Sequence, residues 1–262
     1  MIVSTALRPS KELVLRAKRL TEELGAFYVP RGGLSLAKLA ISRGDEAEDV
    51  LLLTDEEVKL IRADGASMFF HPSMAVVRVK RMLAGEPDTL VALAGVKPGD
   101  AVLDCTAGLG ADAIVLAHAV GERGAVTALE SAPRLYALLL EGLRTYESDV
   151  PQLNEAMRRV RIANTDHLPY LRQMETGSVD IVYFDPMFRQ PIGESSAMSP
   201  LRREADDRPL EAEAIEQAKR VARKAVVLKE HRDSDQFARL GFAQIQRTHS
   251  KIAYGVIHID NG

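Results

Sequence analysis

The chain has 262 residues, 46% of them hydrophobic and 27% charged, with a net charge of −3 and a pI near 6.1. This composition is ordinary for a soluble globular protein, so burying a core is no difficulty. It excludes a protein that grips nucleic acid through a global positive field, so any such contact needs a local patch. Cys105 is the only cysteine, which rules out an intramolecular disulfide and a cysteine-based zinc cluster, and no metal is expected. No apolar run approaches the roughly 20 residues of a membrane span. Met1–Ser10 lacks the basic and apolar regions of a secretory signal, so a cytoplasmic location is the expectation.

Residues 1–71 are read as a small N-terminal α/β subdomain and 72–262 as the main domain. Met1–Ala6 is a strand candidate. Ser10 can cap a helix over Lys11–Leu24 that stops at Gly25, with Leu13, Ala17, Leu20 and Leu24 on one face. Ala26–Val29, Val50–Thr54, Val58–Ala63 and Ser67–His71 are expected as strands and Leu34–Ser42 as a helix. No constellation of catalytic residue types stands out here. Docking, substrate positioning and a purely structural role all stay open.

From Pro72 the periods lengthen. Helices are expected at Ser73–Leu83 and Thr89–Ala94, with a break at Gly85-Glu86-Pro87. Strand and helix then alternate: Ala101–Asp104, Asp112–Val120, Ala125–Glu130, Pro133–Thr145, Val160–Ala163, Leu168–Met174, Ile181–Phe184, Leu210–Val221 and Ala225–Lys229. Such alternation implies a parallel sheet covered on both faces. A short helix at Ser234–Leu240 precedes strands Phe242–Thr248 and Ile252–Ile259, whose connection is too short for a crossover, so they form an antiparallel hairpin. A seven-stranded parallel sheet with an antiparallel final strand is the Rossmann-like layout of class I methyltransferases.

The strand at Ala101–Asp104 runs into Cys105-Thr106-Ala107-Gly108-Leu109-Gly110-Ala111-Asp112-Ala113 and a helix start. Gly108 and Gly110 have no Cβ to keep a ligand from the backbone N–H groups of the turn. Gly108 to Ala113 also fits the G-x-G-x-x-A form of the dinucleotide fingerprint. Glu130, ending the next strand, can accept hydrogen bonds from both hydroxyls of an adenosyl ribose. Each piece has a plainer reading: Asp112 complements a helix N-terminus and Glu130 caps the following helix. Taken together they favour a nucleoside-cofactor site. On the third strand, Asp166 is a partner for an adenine amino group, with Thr165 or Asn164 adding a bond, or else only the cap of the next helix. NAD and S-adenosyl-L-methionine are not separated by the turn and acid alone.

The fourth strand separates them. Val179–Phe184 is a nearly continuous apolar run ending in Asp185-Pro186-Met187-Phe188, where ligands of open α/β sheets bind. An exocyclic amino group on a base is a poor nucleophile because its lone pair is delocalised into the ring. Hydrogen bonds to the Asp185 carboxylate and the Pro186 carbonyl would localise that lone pair and aim it, while Phe188 would stack on the base. Between Phe188 and Leu210 no helix or strand is expected. Arg189, Arg202, Arg203 and Arg208, with Lys219, Arg220, Arg223 and Lys224 nearby, form either a phosphate-binding cluster or a solvated face. Lys229 ends the fifth strand at the same edge, positioned for a phosphate or for the motif acid.

Leu103-Asp104-x-Thr106-Ala107-Gly108-Leu109-Gly110-x-Asp112-Ala113 and Asp185-Pro186-Met187-Phe188 resemble the bacterial family of 16S ribosomal RNA guanine-N2 methyltransferases, with Met187 as that family's own variant of the motif. The match runs from Leu51-Leu52-Leu53-Thr54 to the strand ending in Lys229. The resemblance implies a class I fold, S-adenosyl-L-methionine as cofactor and RNA of the small ribosomal subunit as partner. It places the cofactor at Ala111 and Asp112, at Glu130 and Ser131, and at Thr165 and Asp166, with Asp104, Thr106, Ala107, Gly108 and Gly110 framing the turn. Asp185 is shared between cofactor and catalysis. Two departures bear on the substrate: Arg189-Gln190-Pro191 stands where the family continues with Pro and a lysine-rich loop, and Asp166 stands where Ser is usual. The competing readings are a methyltransferase for another RNA or a small planar amine, which the modest net charge favours, and a module that binds S-adenosyl-L-methionine without transferring its methyl.

Overall fold

The computed structural model describes residues 1–186, 210–245 and 250–259. They cluster into two units, Met1–His71 with Ala137–Glu147 and Pro72–Tyr136 with Ser148–Gly262. In the first unit, β1 (Ile2–Thr5), β2 (Phe27–Tyr28), β3 (Val50–Leu53), β4 (Val58–Ile61) and β5 (Ser67–Phe69) form a sheet in the order β2-β1-β3-β4-β5. The β1 strand lies parallel to β2 and β3, and the remaining pairs are antiparallel. Helix α1 (Lys11–Leu24) takes the bounds that its capping residues dictate. The Ser10 hydroxyl accepts the Leu13 N–H at 3.1 Å, and Gly25, at φ 58°, ends the helix in a conformation that suits glycine. Helix α2 (Leu36–Ala40) is shorter than the predicted Leu34–Ser42 because Ser35 caps it, accepting the Lys38 N–H.

The second unit carries α3 (Met74–Leu83), α4 (Thr89–Ala94), β6 (Ala101–Asp104), α5 (Ala111–Val120), β7 (Ala125–Glu130), the start of α6 (Pro133–Thr145), α7 (Pro151–Arg159), β8 (Val160–Asn164), α8 (His167–Gln173), β9 (Val179–Phe184), α9 (Ala212–Val221), β10 (Ala222–His231), α10 (Gln236–Arg239), β11 (Ala243–Ile245) and β12 (Ile252–His258). Its sheet runs β11-β12-β10-β9-β6-β7-β8. The five strands β6 to β10 are mutually parallel, and β12 lies antiparallel between β10 and β11. This is the layout expected from the strand–helix alternation and the short final connection. One face of the sheet buries Val182, Phe184, Val226 and Leu228 against Ala214, Ile215 and Ala218 of α9. Among the described residues no helix is long and apolar enough to cross a membrane.

In the second unit α7 and β10 differ from expectation. Helix α7 was not predicted, since its buried residues are only Leu153, Ala156 and Met157 and the rest of the segment is polar. Pro151 at the first helical position was the usable signal. The β10 strand is longer than Ala225–Lys229, because pairing with β12 continues to His231 opposite Ile252. Residues 246–249, expected to complete the strand that begins at Phe242, lie outside the described residues.

Gly255 shows how tightly the last strand is packed. A Cβ built there would lie 2.6 Å from the Phe242 Cβ and 2.7 Å from a Phe237 ring carbon. Gly255→Ala is therefore expected to lower stability by about 1–3 kcal/mol through overpacking. A urea titration checks this: the midpoint should fall with the slope unchanged.

Candidate active site

Parallel strands carry their carboxyl ends to one edge of the sheet, and there the glycine turn meets the end of β9. The Cys105 N–H donates to the Tyr183 carbonyl at 2.9 Å, and the Asp185 N–H donates to the Thr106 hydroxyl at 2.6 Å. Gly108 and Gly110 have φ of 55° and 77°, the left-handed region that favours glycine. A Cβ built on Gly108 would meet no atom within 4 Å and would project into open space. Gly108 is one of the residues lining a cavity of about 280 Å³.

Of the site residues expected from the sequence, Thr106, Gly108, Glu130, Ser131, Thr165, Asp166, Asp185 and Pro186 line this cavity. The wall also includes His167, which the sequence suggests is a loop residue and which instead begins α8, and Cys105, Leu129, Leu168 and Arg172, for which the sequence suggests no site role. Asp104, Ala107, Gly110, Ala111, Asp112 and Lys229 are not among the lining residues. Met187, Phe188, Arg189, Arg202, Arg203 and Arg208 lie outside the described residues.

The Glu130 carboxylate accepts the Gly108 N–H at 2.9 Å and the Ala132 N–H at 2.8 Å, so it shapes the glycine turn as well as facing the cavity. Asn164 donates to the Glu130 carbonyl at 2.8 Å, and the Thr165 N–H donates to the same carbonyl at 3.2 Å, which joins the ends of β7 and β8. Asp166 accepts the Leu168 N–H at 2.9 Å. It is thus both the cap of α8, as its plainer reading held, and part of the wall.

Beside the cavity lies a cluster of buried and half-buried charges that the sequence did not bring together. Asp112 does not merely complement the start of α5. Its carboxylate accepts from the Tyr183 hydroxyl at 2.9 Å, from the Lys229 ammonium at 2.9 Å and from the Arg78 guanidinium. Arg78, on α3, also makes a two-pronged pair with Asp88 at 2.7 and 2.9 Å. Lys229 completes the chain by donating to Asp185 at 2.7 Å. Of the two partners foreseen for Lys229, the motif acid is the one it meets among the described residues. The Tyr183 hydroxyl was the one signal available in sequence, since a buried phenol needs a hydrogen-bond partner.

Burial pushes the Asp104 carboxyl up to about 8, and nearby Asp112 and Asp185 reinforce the shift against the Thr106 N–H. Burial likewise raises Asp185, with Lys229 opposing it and Asp112 adding to it. For Asp112, burial is outweighed by Lys229 and Arg78, which hold it well below the carboxylate range. The described members of the basic cluster considered for phosphates have partners within the protein. Arg223 pairs with Asp180 at 2.8 Å, Lys224 with Asp100 at 2.5 Å and Lys219 with Glu216 at 2.9 Å, while Arg220 donates to the Leu171 and Met174 carbonyls.

A family described as "Putative SAM-dependent methyltransferase" matches residues 35–251. The chain belongs to this family. S-adenosylmethionine is accordingly the cofactor of this methyltransferase. It is 40% identical over 256 residues to "Uncharacterized protein YpiP" of Bacillus subtilis, covering 98% of both chains. It is 33% identical over 188 residues to "Ribosomal RNA small subunit methyltransferase J" of Pseudomonas aeruginosa, covering 70% of this chain and 65% of that protein. The motif resemblance to the 16S enzymes therefore holds as that of a divergent member. A solved structure of a SAM-dependent methyltransferase from Neisseria gonorrhoeae shares the fold, with a TM-score of 0.65 at 20% identity over 100% of this chain and 97% of that one. A cavity wall that brings together the glycine turn at Gly108, the carboxylates Glu130 and Asp166 and the hydroxyl of Thr165 fits a nucleoside cofactor in this methyltransferase.

Asp104 gives a pH prediction. With its folded pKa about 8, the folded state keeps a proton that the unfolded chain has lost above roughly pH 4. Its contribution to stability is full below that point and is lost as the pH rises to 8. Asp104→Asn, which keeps an acceptor for the Thr106 N–H, is expected to flatten the fall, removing at most about 1.4 kcal/mol per pH unit. Unfolding titrations between pH 5 and pH 8 check this; a slope like that of the parent would mean Asp104 is ionised throughout.

Proposed function

We propose that this methyltransferase modifies an exocyclic amino nitrogen of a base, guanine N2, in small-subunit ribosomal RNA. The observation that carries the reading is the Asp185 carboxylate and Pro186 lining the cavity at the end of β9, anchored by Thr106 and Lys229. The similarity to the ribosomal RNA methyltransferase of Pseudomonas aeruginosa supports the choice of RNA.

S-adenosylmethionine, when bound, supplies an electrophilic sulfonium methyl. Glu130 is assigned to its ribose hydroxyls, the Gly108 turn to close backbone approach, and Asp166 with Thr165 to its adenine. The part of Asp185 is to accept an N–H of the target amino group while the Pro186 carbonyl accepts the other. Two such bonds localise the nitrogen lone pair and fix its direction, a gain by orientation and electrostatics rather than by strong-base chemistry. Burial strengthens the carboxylate as an acceptor by raising its proton affinity. Phe188, two residues beyond Pro186, is assigned to stack on the base.

Asp185→Asn is expected to lower methyl transfer by about 100-fold or more, as loss of a positioned charged group does. The cofactor dissociation constant should change less than about tenfold, because the reading places the carboxylate on the substrate. Turnover like that of the parent would remove Asp185 from the reaction. Glu130→Ala is expected to weaken cofactor binding by about 1–3 kcal/mol, since it removes a charge-assisted acceptor and loosens the Gly108 turn; calorimetric titration measures it. Mass spectrometry of ribosomal RNA nucleosides from a deletion strain tests the substrate. Loss of one N2-methylguanosine supports the reading, and an unchanged nucleoside profile refutes it.

A further inference from the structure

The carboxylate assigned to the amino group is held from below by a side chain on another strand. The Lys229 ammonium donates to Asp185 at 2.7 Å and to Asp112 at 2.9 Å. Its side chain is 16% exposed, against 23% for Asp185 and 9% for Asp112. A lysine sunk this far between two carboxylates is not free to reach a phosphate on a bound RNA. We propose that Lys229 is a positioning residue: clamped by Asp112, it holds the Asp185 carboxylate in place and in its charged form.

The charge balance of the cluster argues for it. Two cations, Arg78 and Lys229, meet three carboxylates, Asp88, Asp112 and Asp185. Asp88 is held two-pronged by Arg78, and Asp112 takes bonds from Arg78, Lys229 and Tyr183. For Asp185, Lys229 is the single cation within hydrogen-bond reach among the described residues. The other groups acting on Asp185 or on its lysine are acidic or neutral: Asp112 on α5, Asp104 on β6, Tyr183 on β9 and Tyr254 on β12. Removing the ammonium leaves Asp185 with no cation of its own beside Asp112, which keeps Arg78 and Tyr183, and burial then favours the protonated form of Asp185. A protonated Asp185 has lost the charge that the amino-group reading requires. This inference rests on that reading for what Asp185 does in catalysis, but not for what Lys229 does to Asp185.

The test uses the full chain as Lys229→Met and Lys229→Arg. Carbon-13 carboxyl NMR, with Asp185→Asn to assign the signal, reads the ionisation midpoint of Asp185 without turnover. Lys229→Met is expected to raise that midpoint by about one pH unit or more, the usual effect of losing an opposite charge at this distance. The acid limb of kcat should move up equally, with cofactor affinity within about threefold of the parent. Lys229→Arg should restore most of both. Should the Met variant not fold, Lys229→Gln, which retains a donor, is expected to give the same direction of shift. A midpoint that stays put while kcat falls equally at every pH would overturn the proposal. So would a raised KM for RNA with an unmoved pH profile, which would return Lys229 to the substrate. If the parent methylates no RNA, the functional reading fails, and the NMR midpoint still decides the role of Lys229.

Discussion

The Lys229 ammonium lies 2.9 Å from Asp112 and 2.7 Å from Asp185, at a depth where two facing carboxylates would otherwise repel in a low dielectric. That contact joins the start of α5, the end of β9 and the body of β10. The glycine turn lies between β6 and α5, so the lysine ties the turn's exit to the strand that carries Asp185. The short bond from the Asp185 N–H to Thr106 ties the turn's entrance to the same residue. Both ends of the turn are thus referenced to one residue, the entrance through the Asp185 backbone and the exit through its carboxylate.

A cluster of this kind costs desolvation, which partners must offset. The chain offsets it unequally. Asp112 receives Arg78, Lys229 and Tyr183, whereas Asp104, buried on the neighbouring strand, receives only the Thr106 N–H among the described residues and is pushed toward its neutral form. A neutral Asp104 adds no third negative charge to the pair above it. Asp185 lies between these extremes, buried enough to raise its proton affinity and paired enough to counter that rise.

What the sequence makes legible is local. Ser10 and Gly25 mark α1 because capping depends on a residue and its neighbours within one turn. The glycines and Glu130 mark the cofactor edge because a βαβ unit fixes the spacing between turn and acid. The antiparallel hairpin follows from the shortness of the connection before Ile252. What stays hidden depends on long-range closure. Arg78 lies 34 residues from Asp112, and Lys229 lies 117 residues from it. Neither pair has a local pattern, so Lys229 could be placed at an edge while its choice between phosphate and motif acid stayed open. The same limit applies to Lys219, Arg220, Arg223 and Lys224, where abundance along the chain suggested a free cluster and the fold pairs or bonds each one.

The segment that leads into β6 belongs to the site for the same reason. Asp88 accepts the Val91 N–H at the start of α4 and takes both prongs of Arg78 from α3. Arg78 then reaches Asp112, so the two helices ahead of the glycine turn share charges with the residue that grips Lys229. A motif-centred view would treat these helices as a lead-in, because they contribute nothing to the cavity wall. Electrostatically they supply one of the two cations that keep the buried carboxylates charged. A substitution at Arg78 therefore acts on Asp112 directly and on Asp185 only through the lysine that both acids share.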